Sequence, residues 1–175
     1  MNAELTKELK KLFQNLLNDC REEDNKGEYK PLSFYEYALP PRKTTGEKLP
    51  FIVFFPLDGE DEDTGEKETV NIAISCCVHL AIDKTGTFEQ LSEGNMAVML
   101  LMSRVKQVLR EHRIVGNAFK RIGKIKWKLF DNNSQPSPFF YGVIEVAYES
   151  HIERKTTEAE DNAYGKKFGK DFFLR

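Results

Sequence analysis

Cys76, Cys77 and His79 are the residues of this sequence whose types and spacing come nearest to a metal site. They lie in a segment, residues 69–81, in which apolar and polar residues alternate as they do in a β-strand. Neighbouring residues of a strand point to opposite faces, so Cys76 is directed away from Cys77 and His79. The sequence has no second pair of Cys or His at the spacing of a zinc site. We therefore expect reduced core thiols and no metal.

An acidic run from Asp58 to Asp63 could supply oxygen ligands to a cation. A calcium loop of the EF-hand type requires Gly at its sixth position and Glu at its twelfth. Counted from Glu60, the sixth residue is Gly65, but the twelfth is Asn71. The mismatch favours an exposed turn or loop between two strands. The candidate residues of this acidic loop are Asp58, Glu60, Asp61, Glu62 and Asp63.

Motifs of catalysis are missing from the sequence. It contains no nucleophile-elbow pattern and no glycine-rich phosphate loop that precedes a helix. Its closely spaced carboxylates occur only in segments that are predicted to be exposed. The sequence therefore predicts a protein that is not an enzyme and that uses no cofactor.

Basic residues cluster in the second half of the chain. They are Lys120, Arg121, Lys124, Lys126 and Lys128. Residues 124–129 alternate as a strand does, with the lysines on one face and Trp127 on the other, apolar face. A platform for nucleic-acid bases needs aromatic rings beside the basic residues, and only Phe130 shares the lysine side. Two interpretations stay open: a solvated outer face, or a surface that pairs with acidic residues, such as residues 58–63 of an adjacent subunit.

The hydrophobic pattern predicts two amphipathic helices and several strands. Apolar residues at steps of three and four, beginning with Leu5, predict a helix over about residues 3–20. Thr87 and Gln90 form a capping-box pair, and a second helix is predicted to run from there to about His112. The apolar seam of that helix is Phe88, Leu91, Val98, Met102, Val105 and Leu109. Strands are predicted at residues 49–56, 69–81, 124–129 and 139–148.

These elements predict an α+β fold in one domain. We expect a mixed, largely antiparallel β-sheet of about four to five strands, with one long helix packed on one face and an N-terminal amphipathic helix. Residues 1–152 are expected to form the domain, with the first helix in residues 1–20 and an extended, proline-containing arm in residues 28–50. Residues 153–175 are expected to be a charged, flexible tail. Aromatic residues spaced by four also make this tail a candidate for docking on a neighbouring subunit. They are Tyr164, Phe168 and Phe172.

Charge and hydropathy exclude two other classes of protein. The formal net charge is -2, which gives no general reason to expect binding to nucleic acid or to a membrane surface. No stretch approaches the apolar length that spans a bilayer, and the N-terminus lacks the apolar core of a signal peptide. We therefore expect a protein that is made and used in a cytoplasm.

Several short motifs occur in an order that resembles small tail-assembly proteins of tailed bacteriophages and their prophages. The motifs are Leu39-Pro40-Pro41-Arg42, Leu49-Pro50-Phe51-Ile52-Val53, Leu57-Asp58-Gly59-Glu60-Asp61, Arg113-Ile114-Val115-Gly116, Trp127-Lys128-Leu129-Phe130 and Phe139-Phe140-Tyr141-Gly142. Between these motifs lie an alternating strand and a long helix that ends with Val108-Leu109. The likeness covers about residues 34–148, and the order of elements looks like that of the tail terminator group of minor tail proteins.

The resemblance implies a structural role in a virion. The copies would form a ring, expected to be hexameric, on the finished tail tube, and a monomeric state of the isolated copies stays open. The ring would end tube polymerisation and join the tail to the head connector. Its partners would be other copies, the tail tube protein and the head connector protein, with no specific nucleic acid and no membrane. It would occur in the bacterial host cytoplasm during assembly and then in the virion tail. DNA would pass through the ring, so the acidic loop is expected to face the lumen.

The residues expected at the subunit interface lie in the arm and in the first predicted strand. They are Tyr37, Arg42, Phe51 and Phe55. Aromatic residues at these positions fit a core equally well. Two other functions stay open: a head–tail stopper or adaptor, and a non-enzymatic domain that binds nucleic acid or peptide through the lysine strand.

Overall fold

The computed structural model describes residues 2–18, 21–23, 29–38, 50–61, 67–80, 87–130 and 138–151, and the account below is confined to them. They form an α+β fold, as the pattern predicts. The helices are α1 (Asn2–Leu16) and α2 (Phe88–Glu111). The strands are β1 (Arg21–Glu23), β2 (Tyr29–Pro31), β3 (Ser33–Glu36), β4 (Phe51–Asp61), β5 (Lys67–His79), β6 (Ile114–Val115), β7 (Phe119–Leu129) and β8 (Phe139–His151).

Six of these strands form one mixed sheet in the order β3-β4-β5-β8-β7-β6. β3 and β4 are parallel, and the other neighbouring strands are antiparallel. β1 and β2 form a separate antiparallel pair. The sheet therefore has more strands than the four to five predicted. Its two edge strands, β3 and β6, have only four and two residues, which is too short for an alternating pattern to reveal.

Both helices pack on one face of the sheet and form a single core with it. Residues at even positions of β5, from Val70 to Val78, point to this face and are buried. Hydrophobic burial on this scale is the main stabilising contribution to such a fold. The largest fully buried side chains of this core include Phe13, Phe54, Met102, Phe140 and Tyr148.

Helix α2 begins where the sequence predicts. The Thr87 hydroxyl accepts a hydrogen bond from the Gln90 backbone N–H at 3.2 Å, and the Gln90 side chain accepts one from the Thr87 N–H at 3.0 Å. This capping box satisfies two backbone donors at the start of the helix. At the other end, the His112 N–H donates to the Val108 carbonyl, and the helix ends at Glu111.

Two glycines allow α2 to lie very close to β8. A Cβ atom added at Gly94 of α2 would lie 2.2 Å from the ring of Phe140, and one added at Gly142 of β8 would lie 2.1 Å from the Met102 sulfur. Each large side chain thus occupies the space that the facing glycine leaves. The helix and the strand interlock, which fixes the position of α2 on the sheet.

Two β-bulges lie on one row across the sheet. One follows Pro56 in β4, and the other follows Ile122 in β7. Just after the first bulge, Asp58 pairs with Asn71 of β5, which in turn pairs with Ala147 of β8, the partner of Ile122. Bulges bend and twist a sheet, so this row is where the sheet curls. Within the second bulge, Gly123 has φ +63°, a conformation that glycine adopts readily.

The structure corrects several predicted boundaries. The first helix ends at Leu16 and not near position 20, and Arg21 begins a short strand. The arm predicted at residues 28–50 contains two paired strands, β2 and β3.

The strand β4 continues past Pro56, where the sequence predicts its end. Pro56 pairs with Ile72 of β5 and has no described strand on its other side, so the ladder with β5 tolerates a residue that lacks an N–H group. Phe88 does not belong to the buried seam of α2 and is 86% exposed, since it lies at the first position of the helix. The tail, residues 153–175, lies outside the described residues.

Candidate assembly surfaces

The second face of the sheet carries neither of the described helices, and we call it the helix-free face. Residues at odd positions of β5 and β8 point to it, because the helix-covered face takes the even positions. This face has two different halves. One is aromatic and the other is charged, and the boundary between them crosses the strands obliquely, because Phe55 of the first half is level with Lys126 of the second.

The aromatic half lies at the end of the sheet where β3 pairs with β4. Its half-buried rings surround a small buried centre of Phe51, Val53 and Cys77. The rings of Tyr35 and Phe51 meet edge to face at 6.0 Å. The surrounding aromatic residues are Tyr35, Phe55, Phe139 and Tyr141, and His79 lies against Phe139 with ring centroids 5.2 Å apart.

The charged half consists of the bulge row and the neighbouring part of β7 and β8. A trough of about 360 Å³ runs across the sheet here, with β4 as one wall and β7 as the other. Asp58 stands on the first wall and accepts a hydrogen bond from the Asn71 amide at 2.6 Å. Lys124 and Lys126 stand on the second wall, and Glu145 lies opposite Lys126 on β8. Opposite charges thus face each other across the sheet.

Both long outer strands have stretches of edge that no described strand pairs. β3 pairs with β4 only at residues 51–54, so the outer edge of β4 is open from Phe55 to Asp61 among the described residues. β6 pairs with β7 at Phe119 and Lys120, and the Arg121 backbone N–H donates to the Arg113 carbonyl, so the corresponding edge of β7 is open from Ile122 to Leu129 among the described residues. An open edge presents unpaired N–H and C=O groups to which another strand can bind.

The two open edges carry opposite charges and exposed apolar residues. We call residues 57–60 of β4 the acidic edge and residues 126–128 of β7 the lysine edge. The acidic edge contains Asp58 and Glu60, both exposed, and Leu57, which is 55% exposed. The lysine edge contains Lys126 and Lys128, both exposed, and Trp127, which is 53% exposed. These features are typical of a surface that a partner covers.

Trp127 lies on the helix-covered face of β7, opposite Ile144, and Lys106 of α2 lies 4.7 Å from the centre of its ring. Lys126 and Lys128 point to the helix-free face. The predicted separation of Trp127 from the lysines is therefore correct. Phe130 is the ring on the lysine side, and Lys128 lies 5.6 Å from its centre. The tryptophan and the lysines do not form one stacking platform for bases.

Of the four residues predicted at the subunit interface, the structure describes three, and it places Tyr37 apart from Phe51 and Phe55. Tyr37 lies near α1, where its hydroxyl hydrogen-bonds that of Thr6 at 2.9 Å, so it helps to fix α1 on the edge of the sheet. Phe51 is buried and Phe55 half-buried, and both belong to the aromatic half. Arg42 lies outside the described residues.

The predicted acidic loop is in part a strand. Residues Asp58 to Asp61 continue β4 and pair with residues 68–71 of β5. The predicted break at this point is wrong because the bulge beside Pro56 lets the strand resume after one unpaired residue. Glu62 and Asp63 lie outside the described residues. The strand conformation places Asp58 and Glu60 on one face of the sheet, which a loop would not have specified.

Cys76 and Cys77 point to opposite faces, as predicted, and both thiols are buried, with the Cys77 Sγ donating to the Val78 carbonyl at 3.6 Å. Burial raises the pKa of the Cys76 thiol, and its neighbour Cys77 raises it further. A thiol in this environment stays protonated and is a poor metal ligand. Among the described residues, no group of three or more His, Cys, Asp or Glu side chains could hold a metal ion.

Sequence reasoning missed an apolar strip on the outer side of α2. Its exposed members are Phe88, Met96, Met99 and Leu100. Their spacing overlaps that of the buried seam, so the pattern alone did not separate the two sides of the helix. Within the described part of the chain, no helix is long and apolar enough to cross a membrane.

Comparison with known proteins does not assign the chain to a class. A scan against protein-family models finds no model that matches it, and a search of curated proteins finds no significant match. A function for this chain must therefore be argued from its own surfaces.

Proposed function

We propose that the protein is a structural subunit of a bacteriophage or prophage tail, of the tail terminator type, which acts by self-association and not by catalysis. The observation that carries the proposal is the pair of open strand edges at opposite sides of one sheet. A subunit with two different edges can bind a second copy at each side, and such head-to-tail contacts close into a ring when the rotation between copies permits it.

The remaining surfaces are compatible with this role. A ring on a tail tube needs contacts to its neighbours in the ring, to the tube below and to the head connector above. The aromatic half of the helix-free face and the apolar strip of α2 are separate from the strand edges and supply two further surfaces with exposed or half-buried apolar side chains. Apolar and aromatic side chains of this kind are typical of protein–protein contacts.

The charge of the helix-free face suits a lumen through which DNA passes. Asp58, Glu60 and Glu145 point to this face, and the lysines Lys126 and Lys128 lie among them. A face of mixed charge does not bind the phosphate backbone as a continuous basic surface would. We therefore propose that the charged half of this face is directed to the lumen, with the helices on the outside of the ring.

The experiment is a test of tube growth. The purified protein is added to the polymerising tail tube protein of the phage or prophage whose genome encodes the chain, and tube lengths are measured by electron microscopy. The proposal predicts shorter tubes with a ring of extra density at one end. Tubes that reach the same length with and without the protein, and that carry no added density, would overturn it.

A deletion of the gene separates the terminator from a stopper or adaptor. Loss of a terminator gives tails that are longer than normal, because nothing ends polymerisation. Loss of a stopper or adaptor gives tails of normal length that are not joined to heads. Images of particles from the deletion strain therefore decide between the two roles.

A further inference from the structure

We propose that neighbouring copies of this chain join by antiparallel pairing of the acidic edge of one copy with the lysine edge of the next. This inference rests on the proposed function and names the contact by which the ring would form. It follows from four properties: the direction of the two strands, the order of their charged residues, the face to which those side chains point, and the position of the short edge strands β3 and β6.

Direction comes from the sheet itself. β4 and β5 are antiparallel, β5 and β8 are antiparallel, and β8 and β7 are antiparallel, so β4 and β7 run in opposite directions. When copies are related by rotation about an axis close to the strand direction, β4 of one copy meets β7 of the next in antiparallel orientation. An antiparallel pair forms hydrogen bonds that are perpendicular to the strands.

The residue order of the two edges is complementary. The acidic edge contains Asp58-Gly59-Glu60, and the lysine edge contains Lys126-Trp127-Lys128. In an antiparallel register that places Gly59 opposite Trp127, Asp58 lies opposite Lys128 and Glu60 lies opposite Lys126. Each carboxylate then faces an ammonium group, and the largest side chain faces the residue that has none. Cross-strand pairs of opposite charge stabilise a sheet, whereas like charges destabilise it.

The side chains lie on the faces that this register requires. Asp58 and Glu60 pair with Asn71 and Thr69, which are odd positions of β5, so they point to the helix-free face. Lys126 and Lys128 point to the same face through their partners on β8. Trp127 points to the other, helix-covered face. The position of Gly59 points to that face as well, because Gly59 pairs with Val70 at an even position of β5. One continuous sheet across two copies therefore aligns both charge pairs on one side and the tryptophan on the other.

The short edge strands do not obstruct this register. In this register, residues 51–54 of β4, which pair with β3, would lie beyond Leu129, the last residue of β7 in the neighbouring copy. Likewise, Phe119 and Lys120 of β7, which pair with β6, would lie beyond Asp61, the last residue of β4 in the neighbouring copy. Along the strands, the acidic edge is level with residues 147–149 of β8 and the lysine edge with residues 143–145, so this contact offsets neighbouring copies by about four residues.

The test is a charge-reversal series with a mixing step. One variant is Asp58→Lys with Glu60→Lys, a second is Lys126→Glu with Lys128→Glu, and a third combines all four substitutions. A matched control reverses two exposed charges on the outer side of α2, Glu93→Lys with Arg104→Glu. Self-association is measured by analytical ultracentrifugation and attachment to tail tubes by co-sedimentation. Circular dichroism and thermal unfolding verify that each variant is folded.

Each single-edge variant is expected to associate at least about tenfold more weakly than the unmodified chain, because like charges then face each other at the contact. The four-substitution variant and an equimolar mixture of the two single-edge variants are expected to recover association to within about threefold. The α2 control is expected to associate like the unmodified chain. Failure of both the combined variant and the mixture to recover, with the folds intact, would overturn the contact.

A cross-linking arm gives the register. Glu60→Cys and Lys126→Cys are made in separate chains, mixed and oxidised mildly, and a covalent dimer is expected. The control pair, Glu93→Cys with Lys126→Cys, is expected to give none. A disulfide requires Cα atoms about 4.4–6.8 Å apart, so a dimer in the control or none in the test pair contradicts the register.

The outcomes separate this contact from the proposed function. Tube attachment and self-association that survive every reversal would overturn the contact and leave the terminator role standing. Charge-dependent self-association in a protein that does not affect tube growth would support the contact and overturn the tail role. A chain that neither self-associates nor attaches to tubes would overturn both.

Discussion

The two faces of this sheet are built from the same strands and have different chemistry. The helix-covered face is closed by α1 and α2, and it carries the main apolar core. The helix-free face has one aromatic half and one charged half, and most of its charged side chains are exposed. The difference indicates that one face stabilises the subunit and that the other, with its open edges, is available to partners.

The largest expected effect concerns a phenylalanine on each face. Phe140 is fully buried between β8 and α2, so Phe140→Ala should lower the free energy of unfolding by about 3–5 kcal/mol. Phe55 is half-buried on the helix-free face, and Phe55→Ala should cost about 1–2 kcal/mol. Urea denaturation followed by circular dichroism measures both. Equal losses would mean that the helix-free face is as firmly packed as the core.

A smaller effect is expected at alkaline pH from Cys76. Its pKa in the folded protein is raised by burial above the ordinary value of 9.0, so the unfolded chain loses this proton first. The stabilisation that comes from the protonated Cys76 thiol is fully present below pH 9 and is lost as the pH rises above 9. Between pH 8 and pH 9.5 the free energy of unfolding should fall by about 1 kcal/mol through this group.

The measurement compares the unmodified chain with Cys76→Ala across that pH range. The variant should lack this part of the decline, although its stability at pH 8 is lower because of the lost side-chain volume. Ser75→Ala, on the other face of the same strand, serves as the control and should keep the decline. Identical pH profiles for Cys76→Ala and the unmodified chain would contradict the buried, protonated state of this thiol.

The smallest expected effect is that of a lysine in the charged half. Lys126 is exposed and lies opposite the exposed Glu145, so Lys126→Gln should change the free energy of unfolding by no more than about 0.5 kcal/mol. Urea denaturation measures this as well. A loss above about 1.5 kcal/mol would show that the charged half contributes to stability, and would weaken its interpretation as a surface reserved for partners.

Strong local signals made much of the fold predictable from the sequence. The capping box at Thr87 and Gln90 and the three-and-four spacing of α2 located that helix correctly. The alternation in residues 69–81 located β5 and separated Cys76 from Cys77. Such features depend on side-chain periods that belong to one element, so one sequence is sufficient to reveal them.

The candidate surfaces were only partly predictable. The opposite charges of residues 58–63 and of the lysine strand are visible in the sequence, and pairing between copies was one of two open interpretations. That Asp58 continues β4 was not predictable, because Pro56 and the following Gly59 are typical of a chain break. The bulge that follows this proline is a feature of the pairing between β4 and β5, so it is seen only when the two strands lie side by side.

The sequence alone determined which residues share a face, where α2 begins and which segments carry charge, since each of these depends on neighbours along the chain. The tertiary structure decided which strands lie at the edges, how far β3 and β6 cover them, and that the acidic and lysine edges lie at opposite sides of one sheet. These properties depend on strand order, and strand order arises from contacts between residues far apart in the sequence. The open edges on which the proposed assembly depends are therefore a property of the fold and not of any motif.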